Sequence, residues 1–296
     1  MENGNSRVLN ITNNVFIGAE AKQSALKDWK GWLASIVENI TQGEDELKPL
    51  IQLLVATIQP TRIYRINHPK ITNETYIDLL IIVASSNEKP FVELEPILEI
   101  PYVSESIVCC SLYNEGNLKE DLSNGHLFYS LHCLQENIIY DNSKSQYPVP
   151  SSEMLEQMKK QISHNFKQDI QRAIDFKEMA AYLLEKNHSK ITSFLLHQAT
   201  ELTYRSVLKN LNGFDKKTHA LQALRKYICR CAPQLCTIFS DDTEEDKQLN
   251  NLLEDAYTAA RYDRSFKISR ELLAKIFEKV TNLQQVAIEL VAIQTE

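Results

Sequence analysis

"LLHQATELTYRSVLKN", residues 195–210, decides how the chain is read. Leu195, Ala199, Leu202 and Leu208, with Ile191 just upstream, share one side of a 3.6-residue period, which predicts an amphipathic helix with a packed face. His197, Glu201 and Arg205 recur at four-residue steps on a different side. Taken alone, that polar row reads as a solvated stripe carrying a Glu–Arg pair one turn apart. The helix is expected over Lys190–Leu211 and ends at Asn212-Gly213, a pair suited to a left-handed C-terminal cap.

The segments around this helix follow the same grammar. Helices are expected over Glu153–Glu185, Thr218–Arg230 (stopped before Pro233), Thr243–Tyr262 and Ser269–Leu290, separated by turn signals and with nothing between them that reads as a strand. Five such helices on short loops predict an antiparallel bundle. The run Asp241-Asp242-Thr243-Glu244-Glu245-Asp246 stands where one of them begins, so its expected role is capping and compensation of the helix dipole. Cys229, Cys231 and Cys236 have the spacing C-x-C-x4-C without a second matching pair, which is poor for tetrahedral zinc. They read as buried or half-buried thiols at a helix end.

Moving toward the N-terminus, the grammar changes at Tyr147-Pro148-Val149-Pro150-Ser151-Ser152, where Ser152 is expected to cap a helix starting at Glu153. The boundary is placed there, dividing the chain into residues 1–150 and 151–296. In the first part, residues 22–58 read as one or two helices broken near Gly43, and Pro90–Glu99 reads as another. Thr61–Ile66, Ile77–Val83 and Ser106–Leu112 read as strands. The expected class is α+β: a small mixed α/β domain followed by an all-α bundle.

With 296 residues, 43% hydrophobic and 24% charged, the chain can support two modest cores. That size also makes a disulfide framework unnecessary for its six cysteines. A net charge of −7 excludes coating a phosphate backbone as the main task. The start, MENGNSRVLNITNN, lacks the pattern of a secretory signal, and no apolar run reaches the ~20 residues a bilayer span needs. A soluble cytoplasmic protein with no membrane partner is expected.

Two resemblances add function to these elements. Asp78 followed by Leu79-Leu80-Ile81-Ile82-Val83, shortly after a first strand, resembles the small nucleotidyltransferase fold, and "SNGHLFYSLHCLQENIIYD" (123–141) looks like the end of such a domain, with a strand finishing in Tyr-Asp. That family holds two metal ions with Asp-x-Asp and a further carboxylate, and brings phosphates to a Gly-Ser. Here Tyr64-Arg65-Ile66-Asn67-His68 stands at the Gly-Ser, Tyr76 at the first Asp, and the third strand has no carboxylate. Asp78 is therefore alone, with Glu74 as a displaced substitute, and loss of transferase activity is expected. Asp78 then serves either as a leftover ligand or as an anchor for the strand start.

In the second half, "FLLHQATELTYRSVL" (194–208), "DKKTHALQALRKY" (215–227) and "LLEDAYTAARYDRSF" (252–266) together resemble the HEPN domain, a helical bundle associated with nucleotide and RNA contact. The resemblance moves the polar row from solvated stripe toward site. It implies nucleotide-binding candidates His197, Gln198, Glu201, Lys217, Thr218, His219, Tyr257, Arg261, Tyr262 and Arg264. Lys217, Arg261 and Arg264 would pair with phosphate oxygens. Tyr257 and Tyr262 would stack on a base or seal the bundle. Thr218 is expected to be an N-cap, with His219 in the first turn oriented by Glu201 across the bundle.

Many HEPN domains are ribonucleases that use an Arg followed four to six residues later by a His. No histidine follows His219 here, so the resemblance is to the non-nucleolytic, sacsin-like branch, which implies nucleotide binding and dimerisation. The expected protein is bacterial and binds nucleotide or RNA without turnover. Magnesium would enter only with the nucleotide, and the partner chain would be a second copy held through the helical half. Its rivals are a residual magnesium-dependent transferase using Asp78 and Glu74, a ribonuclease using His197 or His219, and a scaffold or toxin–antitoxin-like regulator.

Overall fold

The structure, a computed structural model, describes residues 47–68, 76–87, 91–94, 98, 102–103, 106–213, 215–263 and 265–296. The helix expected between residues 22 and 46, its break at Gly43, Glu74 and Arg264 lie outside the described residues.

Two compact units are present. One takes its described residues from within 1–67, 72–122 and 132–148; the other comprises residues 68–71, 123–131 and 149–296. The first unit is built on a five-stranded mixed sheet of order β3-β4-β2-β1-β5. Its strands are β1 (Arg62–Ile66), β2 (Tyr76–Val83), β3 (Tyr102–Val103), β4 (Ser106–Asn114) and β5 (Ile138–Asp141). Only β2 and β4 run parallel. The apolar run of β2 fits a strand buried on both faces. One face of the sheet, with Ile63, Leu79, Ile81, Val83, Cys110 and Leu112, forms a core with Leu50, Leu53, Leu54 and Ile58 of α1 (Lys48–Ile58). The opposite alternation, Tyr64, Leu80, Ile82 and Tyr113, is buried as well.

Of the helix expected over Pro90–Glu99, α2 (Phe91–Leu94) is present, and residues 90, 95–97 and 99 lie outside the described residues. Other sequence expectations are revised here. The third strand runs two residues past Leu112, because β4 follows its parallel partner β2 out to Val83↔Asn114. Asp78 lies inside β2, paired with Ile66 and Cys109, and is buried there rather than standing at the strand mouth. Helices α3 (Glu115–Ser123) and α4 (Leu127–His132) were not foreseen.

The helical unit contains α5 (Ser152–Glu185), α6 (Ser189–Asn212), α7 (Leu221–Cys231), α8 (Pro233–Cys236), α9 (Glu244–Tyr262) and α10 (Arg270–Thr295). The starts of α5, α9 and α10 are fixed by side-chain caps: Ser151 accepts from Met154 N–H at 3.2 Å, Thr243 from Asp246 N–H at 3.0 Å and Ser269 from Leu272 N–H at 3.2 Å. The first cap is therefore Ser151, and Ser152 is already helical. Gly213 closes α6 at φ 62°, in the left-handed conformation its lack of Cβ permits.

The acidic run before α9 does cap that helix, and it also reaches sideways. Asp241 pairs with Arg225, Glu245 with Lys275 and Asp246 with Lys279 at 2.8 Å. Two of the clustered cysteines are not thiols: Cys229 and Cys236 form a disulfide joining α7 to α8, and Cys231 is a buried thiol outside that bond.

Helix α6 is the axis of this unit, packed against α5, α7, α9 and α10. It has no wet side of the expected kind. His197 is 0% and Glu201 2% exposed, whereas Ile191, placed on the expected packed face, is 43% exposed. An amphipathic pattern marks a buried face only while one side of the helix meets water. A central helix instead buries its polar row and has to satisfy it internally.

Candidate functional site

The polar row of α6 is the inner wall of the site. Glu201 is a buried carboxylate, and taking such a charge out of water is costly unless donors surround it. Gln198 Nε2 supplies one at 3.1 Å, His219 Nδ1 another at 3.0 Å, and Arg205 Nη1 approaches the second oxygen at 3.4 Å. Arg205 also forks onto Asp215 Oδ1, through Nη2 at 2.8 Å and Nε at 3.1 Å. The loop between α6 and α7 is thus pinned at Asp215 and at His219 by two α6 residues one turn apart. His219 is oriented by Glu201 as the sequence implied.

Thr218 is not the N-cap of α7. The helix begins at Leu221 after Ala220, and Thr218 Oγ1 accepts instead from Ala220 N–H at 3.2 Å, a local turn that stops short of the helix.

The outer wall comes from α9. The Tyr257 ring lies 4.3 Å from the His219 ring, nearly parallel at 16°, and 5.1 Å from that of His197. The Arg261 guanidinium sits 4.0 Å from the Tyr257 centroid and 5.4 Å from that of Phe194. Tyr257 is therefore half-buried and covered in part, with Arg261 and His219 exposed on its ring. Arg261 Nε donates to Tyr257 O at 2.8 Å, so the guanidinium is held by its own helix while both Nη groups make no hydrogen bond among the described residues. With His219 Nδ1 engaged by Glu201, Nε2 is the ring nitrogen left to meet a ligand.

His197 has a different character. Burial pushes its pKa down to about 4, against the opposing pull of Glu201 and the His219 backbone. Its Nδ1 lies 3.3 Å from Gln198 Nε2, which can only donate, so the ring is neutral with its proton on the buried Nε2. It supports Tyr257 and Glu201 from beneath and is closed to solvent.

The structure thus brings together His197, Gln198, Glu201, His219, Tyr257 and Arg261 from three separate sequence blocks. Lys217 is exposed in the loop next to His219, and Tyr262 is 78% exposed, touching the group only through Arg261 at 5.3 Å. Asp78 belongs to the other unit. Sequence reasoning missed Phe194 and the Arg205–Asp215 clamp. The clamp joins residues ten apart across a helix end, where no period operates. Among the described residues, no group of three or more His, Cys, Asp or Glu is placed to hold a metal ion, and no helix is long and apolar enough to cross a membrane.

Comparison with known proteins gives one result for this half: the family model described as "HEPN domain" matches residues 167–290, a span that includes all three blocks. No curated protein matches the chain.

Proposed function

We propose that the helical unit binds a phosphate-bearing ligand, a nucleotide or an RNA end, on the layer formed by Arg261 and His219 over Tyr257. The observation that carries this reading is the guanidinium 4.0 Å from the centroid of Tyr257 with its Nη fork unengaged, on the same ring as an imidazole oriented through Nδ1. A planar fork held in place loses little freedom on meeting phosphate oxygens. The HEPN match supports it, since that resemblance carries nucleotide or RNA contact with it.

In this reading the sheet unit is a nucleotidyltransferase-like domain without its two-metal clamp, because β2 and β4 carry Asp78 as their sole carboxylate. Magnesium arrives with the nucleotide's phosphates, and two copies associate through the helical unit. Binding without turnover follows from the closed, neutral His197 and from the lack of a histidine after His219.

Calorimetric titration with ATP, GTP, UTP and CTP, with and without magnesium, tests it. Arg261 is exposed, so Arg261→Ala leaves the fold intact. Its expected effect is a loss of about 1.5–3 kcal/mol of binding, roughly ten- to a hundredfold. Unchanged affinity in that variant would move the ligand elsewhere.

One observation favours a second reading. The Glu201–His219 pair at 3.0 Å, with Arg261 on the same tyrosine, also suits metal-independent RNA cleavage. There the 2′-hydroxyl attacks phosphorus and the 5′-oxygen leaves, with His219 Nε2 exchanging the proton and Arg261 facing the phosphorane charge. Cleavage of RNA but not of the 2′-deoxy strand, abolished in His219→Ala, would establish it.

A further inference from the structure

The phosphate layer uses none of the cysteines, yet two of them are chemically joined in the same unit. Cys229, near the end of α7, and Cys236, the last residue of α8, form a disulfide with their Cα atoms 5.7 Å apart. The loop it closes is short, seven residues from one cysteine to the other. Closing a short loop removes less freedom from the unfolded chain than closing a long one, so this bond is among the weaker stabilisers of its kind.

The turn that carries Cys236 is held in place by other means. Ala232, Pro233 and Leu235 are buried, and Leu235 N–H donates to Ala232 O at 3.0 Å. Beyond α8, Ile238 and Phe239 are buried as well. Lys279 Nζ of α10 donates to Ile238 O at 2.8 Å, and Asn250 Nδ2 of α9 donates to Phe239 O and Ser240 O at 3.2 and 2.8 Å. Arg225, one turn before Cys229 on α7, ties the same stretch at Phe239 O and Asp241. Opening the disulfide therefore leaves two thiols side by side on a frame that does not need it. Groups held in that way react with each other at a high effective concentration, so the bond re-forms in preference to one with an outside thiol.

The sulfurs can also be approached. Cys229 and Cys236 are half-buried, and Lys226, exposed and three residues before Cys229, puts a positive charge on the side of α7 where an anionic thiolate arrives. The remaining thiol of the helical unit, Cys231, is buried. It lies two residues from Cys229, about 200° round the helix, and so does not take the place of Cys236. Cys109, Cys110 and Cys133 belong to the other unit.

We infer that Cys229–Cys236 is a reversible thiol–disulfide exchange site whose co-reactant is a dithiol. A thiolate of the dithiol attacks one sulfur, forming a mixed disulfide and releasing the other cysteine as a thiolate that takes a proton. The second sulfur of the dithiol then attacks the mixed bond and frees the first cysteine. Two electrons and two protons pass to the pair, and the dithiol becomes a disulfide. A disulfide oxidant run through the reverse sequence closes the bond. The chemistry is separate from the phosphate layer, and neither depends on the other.

The test treats the full chain with oxidised glutathione, then labels it with iodoacetamide before and after dithiothreitol, without denaturant, and maps the peptides by mass. Before dithiothreitol, Cys229 and Cys236 are expected to be unlabelled and recovered as one linked peptide. After it both take the label, while the helical circular dichroism is unchanged and Cys231 remains unlabelled. Replacing dithiothreitol by oxidised glutathione is expected to restore the linked peptide as the main product. In Cys229→Ser, Cys236 is expected instead to keep a glutathione adduct, because the thiol that would displace it is gone. The inference is overturned if the oxidised chain yields no linked peptide, or if dithiothreitol opens the bond only after urea is added. Loss of the helical signal on reduction, or glutathione adducts in place of the re-formed bond, would overturn it equally.

Discussion

His197 and Glu201 show how much a buried row can differ from its sequence appearance. His197 is held neutral because burial penalises its charged form, which takes its pKa from the ordinary 6.5 to about 4. In the unfolded chain the same ring binds a proton near its ordinary pKa. Between pH 6.5 and pH 4 the unfolded state therefore holds more protons, so this contribution to stability is present above pH 6.5 and is lost as pH falls toward 4. The full loss is about 3 kcal/mol. Denaturant unfolding of the unchanged chain and of His197→Gln, both at pH 7.5 and pH 4.5, reads it: the variant's stability should fall less over the interval. Equal falls would show that His197 is not buried as described. Glu201→Ala leaves Gln198, His219 and Arg205 without their shared acceptor, and a loss of about 3 kcal/mol is expected in the same assay.

The helices of the C-terminal half were legible in outline because their ends are written locally. Thr243 followed by Asp246, Ser269 followed by Leu272, and Asn212-Gly213 each determine a terminus within four residues, so period and punctuation agree. Thr243→Ala is accordingly expected to cost about 1 kcal/mol in thermal or urea unfolding. Gly213→Ala should cost about as much, since its φ is 62° and a Cβ there would lie 3.2 Å from His126 Nε2. What escaped reading lies between elements. Which side of α6 faces water depends on four neighbouring helices, and Ile191 exposed beside His197 buried is the result. Likewise the Cys229–Cys236 bond depends on α8 turning back after Ala232, which a spacing of C-x-C-x4-C does not announce. The site was legible as three blocks of residues. Its layering, with Tyr257 covered in part by Arg261 and His219, was not, because stacking joins α9 to the start of α7 across no sequence period.

At the scale of the whole molecule, the chain does not divide at a single point. Residues 123–131 belong with the helical unit although the segments on both sides of them belong with the sheet unit. Within that stretch Leu127, Phe128 and Tyr129 are all buried, and Tyr129 meets the rings of Phe128 and His126. Gly125 has Met154 of α5 against it, and Gly213 has His126 against it, so the segment is packed against the start of α5 and the end of α6, at the end of that pair away from its connecting loop. A chain beginning at Val149 would keep every long helix and the whole phosphate layer, yet lose the cover these three side chains provide. Each is worth about 2 kcal/mol of burial, and the apolar surface they leave behind is exposed in addition. Such a chain is expected to unfold at a distinctly lower urea concentration than the helical unit of the full protein, followed through a probe within α6, and to be cleaved sooner by protease near the α6–α7 loop. If its midpoint matches that of the full protein, the segment is surface decoration and the helical unit is autonomous from Val149 onward. If the midpoint drops, nucleotide titrations on the helical half alone would report on a loosened bundle, and the affinity of the Arg261 layer has to be measured on the full chain.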